Sequence, residues 1–439
     1  MSIPPRADLP AEDPALTTDT AHMRALSGRL VGGRRSPLFT VFFVLAFFAT
    51  LMAVVTPVSI SISLKALQLA PDNAANIQAL ILGVGALFAA VANPVAGFFS
   101  DRSTSRFGRR RPLIVGGAVI GLIGLIVMAL SWDVPSLIVG WAITQTGFNA
   151  TFAALYGLLA DAFEPSSRGR LSGFIGLGQA GGVAGGIAIA TVFPTQLALT
   201  FMLPGVIALI ILGIVGLIAP DRRQTRDDIA HVSFGGFLTG FWVSPRRYPD
   251  FGWAWLGRFL MIFSQSAATS FTVLFLITRF GFTPENIAGI ALLNVLLGLA
   301  VQAVGSPVGG WLSDRLGRRK IFVFLSAIIF TVGVIIVAAA PTFAVFLVGS
   351  AILQLGISAY IAVDLALVTD VLPDGGREAG KHLGVLNLAN TVPQSLAPAV
   401  APVFLAIGGV GENYVALFIA AAVISVLGAV SVFFIKGVR

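Results

Sequence analysis

Runs of roughly twenty apolar residues recur about twelve times along this chain, and nothing in it constrains the fold more. A helix rising about 1.5 Å per residue crosses a hydrocarbon core of about 30 Å in such a run. The runs fall at 38–66, 77–100, 112–131, 135–163, 171–192, 199–219, 253–279, 287–313, 321–340, 342–373, 381–407 and 412–435. A mean hydropathy of +0.92, with 11% charged residues, excludes a soluble globular domain, which alternates polar and apolar faces. Lipid satisfies no backbone polar group, and the period-two pattern of a membrane barrel is absent. The expected fold is an all-α integral membrane bundle of about twelve spans.

The net charge of +8 follows topology rather than any nucleic-acid surface. Of the Lys and Arg, all but Lys65, Arg258 and Arg279 lie in the N-terminal tail, in every second inter-helix loop, or at the C-terminal end. That asymmetry predicts both termini in the cytoplasm, with the bilayer as one partner and no nucleic acid. Arg34-Arg35 ahead of a long apolar run imitates an export signal, but many further spans follow, so the run reads as a first membrane helix. Residues 1–37 read as a disordered cytoplasmic tail. With no cysteine, and with His22, His231 and His382 in or beside loops, neither a disulfide nor a metal centre is expected.

The chain repeats itself. Spans one to six (38–219) and seven to twelve (253–435) flank its longest internal hydrophilic stretch, 220–252, read as a cytoplasmic linker carrying an aromatic segment, His231 to Pro245, at the inner interface. Gly97-x-x-x-Asp101-Arg102 followed by Gly108-Arg109-Arg110 returns as Gly310-x-x-x-Asp314-Arg315 followed by Gly317-Arg318-Arg319. Likewise "LADAFEPSSRGRLSG" (from Leu159) is echoed by "VTDVLPDGGREAGKHLG" (from Val368), each with an Asp at a helix end, then Pro and Arg. Two parallel six-helix halves suit a rocker-type carrier with its substrate between them.

The paired loops resemble the signature of the major facilitator superfamily. Arg102 to Phe107 separate Asp101 from Gly108, whereas only Arg315 and Leu316 separate Asp314 from Gly317. With "SDRSTSRFGRRRP" (Ser100 to Pro112) and "LGVLNLANTVPQ" (Leu383 to Gln394), that insertion resembles the glycoside-pentoside-hexuronide:cation symporters, closest to their sucrose-transporter branch. The resemblance implies that the first loop latches the cytoplasmic ends of the halves in the outward-open state, with Asp314 and Arg318 as the pseudo-symmetric latch. Gly97 is expected to admit close helix approach, and Arg109 and Arg110 to pair with carboxylates. Asp161 before Arg168, and Asp370 before Arg377, read as gating or capping ion pairs.

Polar side chains inside spans are costly, and those sharing a face mark a pathway or hold the bundle together. Gln145, Asn149 and Tyr156 share a face of span four; Asn387, Asn390, Thr391 and Gln394 share one in span eleven; Gln265, Thr269 and Asn294 come from spans seven and eight. Amides, hydroxyls and the aromatic platforms Tyr156 and Tyr360 suit a neutral polyhydroxylated ligand. Asp364 is the carboxylate clearly inside a span, either coupling a cation (a proton, or Na⁺) or serving as another helix's structural partner. Sucrose transporters carry a carboxylate and an arginine in span four, where Gln145 and Tyr156 stand here, so the resemblance carries the fold and latch but not the substrate.

Gly375-x-x-x-x-Gly380-Lys381 lacks the Ser or Thr of a phosphate loop and a preceding strand, and Gly176-x-Gly178-x-x-Gly181 lies within a span, so neither predicts nucleotide binding or any cofactor. The expectation is a monomeric, non-enzymatic sugar or glycoside:proton symporter of the plasma (inner) membrane. A proton-coupled exporter of amphipathic compounds, or a membrane sensor or assembly factor on the same fold, are the alternatives.

Overall fold

The structure, a computed structural model, describes residues 37–221, 243–371, 379–408 and 412–436, and every regular element there is helical. Helix α1 runs Pro37–Leu69. It is widened into a π-helical turn at Pro57–Ser61, as expected where a proline lacks its N–H and presses on the preceding turn. The others are α2 (Ala74–Asp101), α3 (Arg111–Leu130), α4 (Val134–Ala162), α5 (Pro165–Val192), α6 (Leu197–Ile218), α7 (Pro249–Ser270, continued as Thr272–Phe280), α8 (Ile287–Leu316), α9 (Arg319–Ala339), α10 (Phe343–Asp370), α11 (Ala379–Leu405) and α12 (Tyr414–Ser431). Asp133 starts α4 by accepting the Ser136 amide at 2.9 Å, and Thr342 caps α10 in the same way.

Within the described residues each of the twelve apolar runs is helical, but α2, α5 and α7 begin well ahead of theirs, at Ala74, Pro165 and Pro249. Among the described residues nine helices are long and apolar enough to cross a membrane, ten if α7 with its 44° bend is one span. The two long helices outside that set are α4 and α11, whose apolar character is diluted by the amides, hydroxyls and prolines they carry. The tail before Pro37, most of the central stretch (222–242), Gly375 and Arg377 lie outside the described residues.

Packing follows one scheme twice. Helix α3 lies against α4 and α6, α2 against α4, and α1 against α5 and α6; six helices later α9 lies against α10 and α12, α8 against α10, and α7 against α11 and α12. The halves meet along α2 with α11 and α5 with α8. Side chains such as Leu130, Val192 and Leu217 point outward with most of their surface free, as lipid-facing residues do. Small residues let backbones touch: a β-carbon at Gly182 or Gly186 of α5 would strike Phe48 or Thr56 of α1. That is the helix packing which a nucleotide-like string of letters conceals.

Candidate functional site

A cavity of about 950 Å³ lies between the halves, walled by α1, α2, α4, α7 and α11. It runs to Asp101 and Asn387, at the face that carries the arginine-rich loops. Among the described residues Asp101, at this mouth, is its one charged lining group. Its walls differ in chemistry. From α1 come Leu51, Val54, Val55 and Val58, one turn-spaced apolar stripe; from α4, α7 and α11 come the amides and hydroxyls. Of the residues expected there, Gln145, Asn149, Tyr156, Gln265, Thr269, Asn387, Thr391 and Gln394 line it, joined by Asn93 of α2. Asn149 donates to Gln145 Oε1 at 3.0 Å, and Gln179 of α5 donates to the Tyr156 hydroxyl at 3.3 Å.

Three expected lining residues face elsewhere. Asn294 accepts from Ser350 at 2.6 Å and ties α8 to α10. Tyr360 is buried, one turn from Asp364 on α10. Asn390 accepts from Arg258 Nε at 2.9 Å. A helical stripe shows that a face is polar, not whether its neighbour is a cavity or another helix.

Behind the α7–α11 wall sits the pair that matters most. Among the described residues Arg258 and Asp364 are the only basic and the only acidic side chains well inside a span, and they meet at 2.9 Å. Both are buried, 8% and 2% exposed. An ion in hydrocarbon is tolerated only when paired, so each explains the other's presence. The contact is chiefly Coulombic: neither Arg258 Nη1 nor Asp364 Oδ2 makes an aligned hydrogen bond. Arg258 had stood out in the sequence only as an exception to the loop-charge pattern.

At the arginine-rich face, the repeated motifs build the same triangle twice. Arg110 joins Asp101 at 2.6 Å and Asp161 at 3.0 Å; Arg319 joins Asp370 at 2.5 Å and lies 3.9 Å from Asp314. The arginine matching Arg110 is therefore Arg319, and the expected Arg318 is exposed instead. Arg109 also pairs with Asp161. Burial opposes its charge, but Asp161 outweighs that and leaves the pKa of Arg109 raised. Arg168 does not serve Asp161; it donates to the carbonyls of Phe163 (3.0 Å) and Ala160 (2.7 Å), closing the end of α4. Arg102 lies over the Phe98 ring, 3.5 Å from its centre, and Arg315 over Trp311. Gly310 only grazes Ala362 of α10, at 3.9 Å from a β-carbon's place. A β-carbon at Gly97 would meet nothing within 4 Å, because Gly97 borders the open cavity; close approach there is absent from this conformation.

Two features carried no motif. Asp221, just past α6, accepts the amides of Arg110 and Arg111 at 2.7 and 2.8 Å, capping α3. At the opposite face the halves are sealed: Glu412, before α12, accepts the Ala75 amide at 2.9 Å in the first turn of α2. Gln78 donates at 2.5 Å to the Ser270 carbonyl, beside the bend of α7, and a β-carbon at Gly83 would stand 2.9 Å from the Ala399 methyl.

A helical bundle of this plan, closed at one face and open at the other, is the architecture of a membrane carrier. The family profile of the Major Facilitator Superfamily matches residues 38–302 and 285–438, and the chain belongs to that superfamily as a multi-pass membrane protein. Multidrug resistance protein 2 of Bacillus subtilis (strain 168) is 26% identical over 248 residues, 53% of this chain and 57% of that protein. The Uncharacterized MFS-type transporter YfiU of the same organism is 33% identical over 104 residues, 24% of this chain and 19% of that protein. The matches thus span from about a fifth to just over half the length of these curated relatives. Among solved structures, the nucleoside transporter NupG superimposes with a TM-score of 0.71 at 13% identity, over 91% of this chain and all of that one.

Proposed function

We propose that this protein is a secondary active transporter that moves a small uncharged polar solute, a sugar or glycoside, by alternating access with cation symport. The coupling ion in this reading is a proton carried at Asp364. The observation that carries it is the pairing of an amide- and hydroxyl-lined cavity with a buried carboxylate–arginine pair directly behind its wall. Neutral hydrogen-bonding groups suit a neutral polyol, because a charged solute would need a desolvated counter-charge. A buried carboxylate held mainly by charge suits reversible protonation.

In this reading residues 38–219 and 253–435 are the moving halves, 220–252 their tether, and the loop triangles their gates. The chain works as a monomer in the plasma or inner membrane, with both termini cytoplasmic, and without enzymatic chemistry. The loop insertion supports kinship with the glycoside-pentoside-hexuronide:cation symporters; Gln145 and Tyr156 keep sucrose itself from being carried over. A second reading, proton-driven export of amphipathic compounds, draws on the apolar stripe of α1 and on the similarity to Multidrug resistance protein 2.

Proteoliposomes holding the full chain test this with labelled sucrose, methyl glucoside, myo-inositol and thymidine, with and without an inward proton gradient. Gradient-driven accumulation of at least one, lost in Asp364→Asn, is expected. Accumulation that ignores the gradient sinks the symport reading. Gradient-driven expulsion of a lipophilic dye with no uptake of any of these solutes favours the exporter.

A further inference from the structure

We infer that Arg258 is a relay: it passes the protonation state of Asp364 to the solute-facing wall of α11 through Asn390. The inference rests on the coupling role proposed for Asp364 and adds the route by which that role reaches the cavity.

Arg258 stands on α7 and touches two other helices at once. Its Nη1 lies 2.9 Å from Asp364 Oδ2 on α10, and its Nε donates to Asn390 Oδ1 on α11 at 2.9 Å. The two attachments differ in kind. The bond to Asn390 is aligned, whereas the contact with Asp364 is made without an aligned hydrogen bond on either atom and is held by Coulomb attraction, which a low dielectric strengthens. Besides Arg258, the ionisable group acting on Asp364 is Tyr360, one turn away on α10. On the other helices packed against α10, the charged residues Asp314, Arg315, Arg319 and Lys320 lie in terminal turns of α8 and α9.

When a proton from water binds the Asp364 carboxylate, the attraction to Arg258 is lost but the bond to Asn390 is not. The guanidinium becomes an uncompensated charge away from water, a state that a low-dielectric interior strongly disfavours, and it is drawn toward the nearest polar space. That space is the cavity, whose wall Asn390 adjoins: Asn387, Thr391 and Gln394, on the same turns of α11, line it. Trp255 already fixes α11 to α7 by donating to the Val385 carbonyl at 2.9 Å, so a pull through Asn390 shifts the α11 face above a fixed point. Proton binding thereby changes the cavity that receives the solute, with no contact between proton and solute.

The chain contains no cysteine, so a single Asn387→Cys substitution reports the state of that wall. Full-length protein in lipid nanodiscs is labelled with a membrane-impermeant maleimide across pH, with rates normalised to Trp132→Cys in an exposed loop; infrared difference spectra follow the protonated carboxyl. The normalised rate is expected to change by about fivefold or more across the carboxyl titration, as for a coupling free energy of 1 kcal/mol or above. Asp364→Asn should abolish both the change and the carboxyl band. Asn390→Ala should abolish the change and keep the band at full amplitude. Asn390→Asp, which gives Arg258 a second carboxylate, should fix the rate at every pH. If Asn390→Ala and Asn390→Asp both retain the pH response, the relay is wrong while coupling at Asp364 stands. If no carboxyl band depends on Asp364, the coupling role itself falls.

Discussion

The two arginine-rich loops began as copies and no longer do the same work. In the first, Arg110 is almost enclosed, its side chain 7% exposed, and it binds Asp101, Asp161 and the Ser100 hydroxyl while Asp221 caps the backbone beside it. In the second, Arg319 is 27% exposed, leans on Asp370, and reaches an Asp314 that is 69% exposed across 3.9 Å. The added residues between Asp101 and Gly108 explain the difference. They give the loop enough chain to turn back at Gly108, whose φ of +102° and lack of a side chain let the Asp221 carboxylate approach. In the shorter copy Gly317 (φ +61°) simply ends α8, with open space around it. A duplicated motif thus yields one enclosed network and one exposed one, and in the proposed reading the exposed one is the gate that parts more readily.

That contrast can be broken by paired substitutions read as thermal stability in detergent. Arg110→Ala strips a nearly buried network and should cost about 3–5 kcal/mol, against about 1 kcal/mol or less for Arg319→Ala at its more exposed site. Equal losses would mean that the loops are equivalent after all. Gly108→Ala should cost about 2 kcal/mol or more, through its backbone conformation and collision with Asp221. Gly317→Ala, strained but unobstructed, should cost about 1 kcal/mol. The smallest effect belongs to Asp314→Asn, about 0.5 kcal/mol or less; a larger loss there would show that the 3.9 Å contact closes in solution.

Which parts of this were legible beforehand follows from what each pattern encodes. Apolar length located the spans because lipid demands it, and repeated letters located both loops because each half needs the same turn. The amides of α4 and α11 pointed to the cavity because polar groups inside a bilayer need a reason. Position within a polar face was not legible: Asn387 and Asn390 lie one turn apart, yet one meets the cavity and the other Arg258. Nor was Arg318 distinguishable from Arg319, since their neighbours in space come from the ends of α8 and α10. Glu412, Asp221 and Arg258 take partners more than a hundred residues away, so no local pattern names them.

Alternation between faces is the central claim, and one labelling experiment meets it directly. A single Gln145→Cys in the otherwise cysteine-free chain places a thiol on the cavity wall, and impermeant maleimide is offered from one face of the membrane at a time. The account predicts labelling from both faces. It further predicts that cross-linking Ala75→Cys to Glu412→Cys, before labelling and with a maleimide-blocked control, abolishes labelling from the sealed face and leaves that from the arginine-rich face intact. Labelling from the sealed face that survives the cross-link, or that never occurs without it, would contradict the account.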